Sequence, residues 1–130
     1  MSGIINEIRY KPGFVHSIGA TEEQINKAEK ELNIEFNEEY KQYLSVFGFV
    51  SFIGHEITGI CSSPGSNVVF VTEQEREMNP SIPLDWYVIE QTGIDGIVLW
   101  QSNDGKIYKS FPNALPICVS ESLTDYIKSI

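Results

Sequence analysis

The chain has 130 residues, 42% of them apolar and 12% aromatic, enough to build one compact domain, 1–130, and too few for two. Its 18 acidic residues outnumber 9 basic ones for a net charge of -9, a field that repels nucleic acid and anionic bilayers and either attracts basic partners or serves solubility alone. No apolar run approaches the ~18 residues of a membrane span, and Met1–Tyr10 carries Glu7 and Arg9 where a secretory signal would be continuously apolar, so a soluble, cytoplasmic protein is expected.

The first strong local signal is Thr21, which forms a capping box with Gln24 at a helix start. Glu22 and Glu23 follow in the first turn, where the helix dipole favours negative charge. Ile25, Ala28 and Leu32 then recur at helical spacing as a buried stripe, opposite Lys27, Lys30 and Glu31. Asn37 is placed as a second N-cap, ahead of Glu38, Glu39 and a stripe of Tyr40, Tyr43, Leu44 and Phe47, and Gly48 is placed to end that helix. From Phe49 the pattern becomes extended: segments 49–53 and 55–60, interrupted by Gly54, read as one hairpin or bent strand pair. Residues 61–67 form a loop by composition and 68–71 an apolar strand. Thr72 with Glu75 offers a further capping box, for a short acidic helix ending near Asn79-Pro80.

Strands at 86–91, 97–101 and 106–110 are expected to form an antiparallel meander, because the connections 93–96 and 102–105 hold the glycine, asparagine and aspartate of tight turns. A short extended segment at 117–119 precedes a last helix, capped by Ser120 or Ser122, that turns Leu123, Tyr126, Ile127 and Ile130 to the core. Helices, then strands, then a helix describe an α+β fold, a mostly antiparallel sheet with helices packed on one side.

Encoded chemistry is sparse. The two histidines, His16 in an expected loop and His55 beside a strand turn, accompany no nucleophile-elbow sequence. Cys61 and Cys118 lie far apart with no CxxC pair and no histidine at ligand spacing, so no metal centre is encoded. Both are expected as small buried or half-buried thiols, with a disulfide left open. Glycines 93, 96 and 105 belong to turns and form no phosphate-binding loop, so no nucleotide cofactor is expected. Carboxylates fall mainly in helix first turns and hairpins, whereas a carboxylate-dependent hydrolase needs several converging in one cleft. A binding module without enzymatic activity is the expectation that remains. Between Lys41 and Lys106 the only lysine or arginine is Arg76, set against eight acids. This acidic middle supplies the candidate surface for a basic protein: Glu73, Glu75, Glu77, Asp85, Asp95 and Asp104. Trp86 is its candidate aromatic anchor, although it also fits the pattern of a core strand residue.

The ordered runs Ile18-Gly19-Ala20-Thr21-Glu22-Glu23-Gln24-Ile25, Leu32-Asn33-Ile34, Phe36-Asn37-Glu38-Glu39-Tyr40-Lys41-Gln42-Tyr43-Leu44 and Gly48 resemble the opening of the SUKH superfamily. Ile53-Gly54, Ile57-Thr58-Gly59-Ile60, Ile82-Pro83, Val88-Ile89-Glu90 and Gly93-Ile94-Asp95-Gly96 continue the resemblance over most of the chain. That superfamily includes fungal cell-wall assembly (glucan synthase) regulators and many bacterial immunity proteins. Each motif alone is capping or turn chemistry; the ordered combination carries the resemblance. Phe36-Asn37 departs from the leucine-proline of many relatives, and Asn37 caps by hydrogen bonding where proline would preset the backbone. The resemblance implies an α+β fold without shared catalytic residues. It also implies an immunity protein that binds and neutralises a cognate polymorphic toxin, often one with a nuclease domain, whose basic face the acidic segment would occlude. An intracellular regulatory scaffold that binds another protein is the alternative, and a homodimer is left open.

Overall fold

Residues 3–130 are described by a computed structural model, and its first helix is one that the sequence pattern leaves unassigned. In α1 (Gly3–Arg9), Ile4, Ile5 and Ile8 are buried, so tertiary burial holds seven residues that would be too few for an isolated helix. Next comes β1 (Val15–His16), which places His16 in a short strand where a loop is expected. The Thr21 capping box closes in both directions: Gln24 N donates to Thr21 Oγ1 and Thr21 N to Gln24 Oε1. It starts α2 (Glu22–Leu32), which Asn33 ends in the left-handed region at φ 56°. The Asn37 side chain accepts from Glu39 N and starts α3 (Glu38–Phe47), ended by Gly48.

The expected hairpin follows as β2 (Val50–Phe52) and β3 (His55–Ile57), and with β1 it forms an antiparallel sheet in the order β1-β2-β3. Beyond a short 3-10 turn at Pro64–Ser66, the structure corrects two expectations. Residues 68–71 are not a strand, and Thr72 is not a cap. One helix, α4 (Val68–Met78), runs through both, capped by Asn67, whose Oδ1 accepts from Val69 N and Phe70 N. The run of valines favours a strand only weakly; the cap and a buried stripe of Val68, Val71, Thr72 and Glu75, at i, i+3, i+4 and i+7, decide for helix.

The expected meander appears as β4 (Tyr87–Gln91), β5 (Val98–Gln101) and β6 (Ile107–Ser110). A fourth strand, β7 (Ile117–Ser120), pairs with β6, and α5 (Leu123–Ser129) closes the chain behind the Ser122 cap. This second sheet is antiparallel in the order β4-β5-β6-β7. Alternation along its strands serves two apolar clusters. Tyr87, Ile89, Leu99 and Ile107 join the main core with α1, α2, α3 and α5. Val88, Val98 and Trp100 point the other way, to a smaller cluster with Val71, Ile82 and Trp86. The register of β4 shifts between Val88 and Glu90, a bulge that re-aims the following side chain.

Two caps therefore support the first half of the fold to different extents. Replacing Thr21 by alanine should cost about 1 kcal/mol. Asn37→Ala should cost more, because Asn37 Nδ2 also donates to Asn103 O at 3.3 Å across to the β5–β6 turn. Urea titration checks both as a lower midpoint at unchanged slope; midpoints equal to that of the parent chain would refute the capping roles.

Candidate protein-binding face

The helix that replaces the expected strand sets the geometry of the acidic segment. α4 lies along β4 in the same direction, since Val88 N donates to Thr72 Oγ1 at 3.0 Å and Gln91 Nε2 to Glu75 Oε2 at 2.6 Å. With Val68, Val71, Thr72 and Glu75 turned inward, Phe70, Glu73 and Glu77 stand on the solvent side. Glu73 and Glu77 are one turn apart on one face, and Phe70 precedes Glu73 by three residues. Met78 and, on the following loop, Leu84 and Asp85 are also exposed. The exposed apolar residues escape the sequence reading; the signal that would have found them is Asn67, which sets the phase of the helix.

Arg76 forms no ion pair on this face among the described residues. Its Nη2 donates to Leu84 O at 2.6 Å and to Leu32 O at 3.3 Å, pinning the guanidinium against two backbone segments. Burial lowers its pKa from the ordinary arginine value, and the Glu73 charge partly offsets that. The one basic side chain of the middle segment thus faces carbonyls, leaving Glu73 and Glu77 without an ion pair among the described residues.

The remaining candidates do not form one patch. Tyr87 pairs with Gln101 and Gln91 with Val98, so Asp85, ahead of β4, and Asp104, in the β5–β6 turn, lie at one end of the sheet. Asp95, in the β4–β5 turn, lies at the other. Asp104 closes its own hairpin, because its Oδ1 accepts from Ser102 Oγ and from Lys106 N. Two residues are corrected outright as exposed contacts. Glu75 is 7% exposed because it occupies the buried stripe of α4, where Asn79 and Gln91 hydrogen-bond it. Trp86 is 8% exposed, its ring stacked on Tyr108 at 4.1 Å between centroids, which makes it core.

The chemistry-bearing residues elsewhere are tied into the fold. His55 Nδ1 meets Glu90 Oε2 at 2.8 Å, and the Tyr126 hydroxyl donates to the other oxygen of Glu90. Burial, and then the Glu90 charge, drive the Tyr126 phenol pKa up, so it stays a neutral donor. Both cysteines are free; Cys61 is half-buried, whereas Cys118 is exposed, contrary to expectation, because β7 is an edge strand. Among the described residues no cluster of three or more histidine, cysteine or acidic side chains could hold a metal ion, and no helix is long and apolar enough to cross a membrane.

The model of the SMI1-KNR4 cell-wall family, SUKH_5, matches residues 1–130. The chain belongs to this family. No curated protein matches it. Among solved structures, the crystal structure of a protein from Pseudomonas syringae pv. tomato has a TM-score of 0.74, covering 100% of this chain and 97% of its own, at 16% identity. That likeness shows a shared fold. Membership in the SMI1-KNR4 family supports an immunity-protein-like or SMI1-KNR4-type role.

Within this SUKH chain, the Ser102 hydroxyl and then the Lys106 N–H hold the Asp104 carboxyl below the ordinary aspartate value. A depressed native pKa means that the hairpin gains stabilisation above the ordinary aspartate range and loses it as pH falls through the lowered value. Ser102→Ala should return the Asp104 midpoint towards ordinary, read from its carboxyl carbon by NMR titration. An unshifted midpoint would show that the hydroxyl does not carry the effect.

Proposed function

We propose that the chain is an immunity protein that binds a cognate toxin through the outer face of α4 and neutralises it by covering a basic surface. The observation that carries this reading is the pairing of Glu73 and Glu77 on an exposed helix whose only basic residue, Arg76, is withdrawn onto carbonyls. Phe70 and Met78 beside them supply apolar contact, so charge can steer the encounter while the apolar side chains slow dissociation. A domain that grips phosphates presents a basic face, which makes a nuclease the class of toxin this surface suits best. Neutralisation by occlusion needs no catalytic residue, in keeping with a family not known for enzymatic activity.

The test is kinetic. A Glu73→Lys/Glu77→Lys double variant should associate with the cognate toxin domain at least about tenfold more slowly at low ionic strength, with a flatter dependence on salt. Phe70→Ala should instead raise the dissociation rate. An unchanged association rate in the folded double variant would remove α4 as the docking face. A folded chain that fails to protect toxin-producing cells would favour the scaffold role, binding another protein.

A further inference from the structure

Below the exposed face of α4, its C-terminal end, the turn that follows and segment 110–115 enclose a groove of about 670 Å³. Met78, Ile82, Phe111 and Leu115 give it apolar walls, and Glu75 lines it. A carboxylate this buried is ordinarily paired with a cation. Glu75 has none among the described residues: Oε1 accepts from Asn79 Nδ2 at 3.1 Å and Oε2 from Gln91 Nε2 at 2.6 Å, both neutral amides. The ion pairs among the described residues join Lys41 to Glu29 and Glu38, and His55 to Glu90. Lys109 lies with Nζ over the Phe111 ring, 6.0 Å from its centroid, and makes no ion pair with Glu75. An ionised carboxylate has about four acceptor sites, so two amide donors leave capacity for a guest.

We propose that this groove receives one arginine or lysine side chain of a basic protein partner, its aliphatic stem against Met78, Ile82 and Leu115 and its cationic head at the Glu75 carboxylate. The chemistry is complementary at both ends. Long basic side chains bury their methylenes along apolar surface while presenting a charged tip, and this groove is apolar along its walls with an unneutralised acid in its lining. Bringing the cation to Glu75 adds an ion pair to a buried carboxylate that only neutral amides otherwise solvate. The inference deepens the docking role proposed for α4 and rests on it: Glu75, lost to the outer surface, becomes the specificity element beside it.

The side-chain amides of Asn79 and Gln91 report on the carboxylate directly. Titrating the intact, isotope-labelled chain with N-acetyl-arginine amide or N-acetyl-lysine amide should give saturable NMR shifts of both amides. The neutral isostere N-acetyl-citrulline amide should bind at least about tenfold more weakly. Glu75→Gln should abolish the difference between the arginine and citrulline ligands. Should that variant fold poorly, Leu115→Lys provides an independent check, because Leu115 is 85% exposed and the change removes an apolar wall while adding a like charge to the cationic ligand. It should weaken binding as strongly. Equal shifts from arginine and citrulline ligands, no saturable shift, or full binding to the Leu115 variant would each overturn the proposal. Slow toxin association in the Glu73/Glu77 variant with a silent groove would retain the docking role and reject the groove. Groove binding with unchanged toxin association would do the reverse.

Discussion

Thr58 is the joint on which both sheets and the central helix depend. Its amide donates to Ile89 O at 2.9 Å and its hydroxyl to Val88 O at 2.7 Å, which fastens the end of β3 to the bulged stretch of β4. Its carbonyl accepts from Tyr40 and Tyr43 of α3, each at 3.0 Å. The Tyr43 hydroxyl also reaches Ile57 O at 2.8 Å and accepts from Val50 N at 3.2 Å. Both tyrosines are fully buried, and burial drives their phenol pKa values upward, so they remain neutral donors. A buried hydroxyl without a partner would cost about 1–3 kcal/mol. The aromatic stripe of α3 can therefore seat only where the strand ends supply acceptors, which fixes the helix against both sheets at once.

The rest of the chain inherits its position from that joint. Gly59 follows Thr58, and a Cβ there would lie 1.6 Å from Gly48 O, so the end of α3 and the exit of β3 touch backbone to backbone. Ile60 N donates to Gly48 O, and Val68 N donates to Gly59 O at the start of α4. The helix carrying Glu73 and Glu77 is thus launched from the same contact that seats α3. On the far side, the β4 bulge places Glu90 between His55 of β3 and Tyr126 of α5. A carboxylate inside the core is tolerable there because each oxygen has a donor. Glu39 plays a comparable part, accepting from Leu123 N and Thr124 N at the start of α5.

What is legible in the sequence is local. The Thr21 box, the Asn37 cap and the glycine-bearing turns at 93–96 and 102–105 act within a few residues, and the meander strands fall within one residue of their expected starts. Sequence and structure part where tertiary context outranks local preference. Val68 to Val71 favour a strand until the Asn67 cap and the burial of Val71 and Thr72 against β4 are counted. Charge alone makes Glu75 equivalent to Glu73 and Glu77, but helical phase turns the first inward and the other two outward. Charge likewise groups Asp95 with Asp104, which a meander must separate, since successive turns fall at opposite ends of the sheet. Glu39 has the position of a first-turn acid, and only the fold reveals that it caps a helix 84 residues away.

On the proposed docking role, this sorting of acids is what would make an acidic protein selective. A uniform net charge attracts any basic surface, and isolated exposed ion pairs contribute about 0–1 kcal/mol each, too little to distinguish one partner from another. Here Glu39, Glu90 and Asp104 are committed to internal hydrogen bonds. Arg76 is held on carbonyls and makes no ion pair with its helix neighbours among the described residues. The uncompensated charge that remains near α4 is placed at two depths: Glu73 and Glu77 in solvent, where salt screens them, and Glu75 in a groove, where it is screened far less. On the proposed reading, the outer pair acts on encounter, and the inner acid acts after water has been displaced. A partner with a basic face but no side chain long enough to reach Glu75 would be attracted and then released.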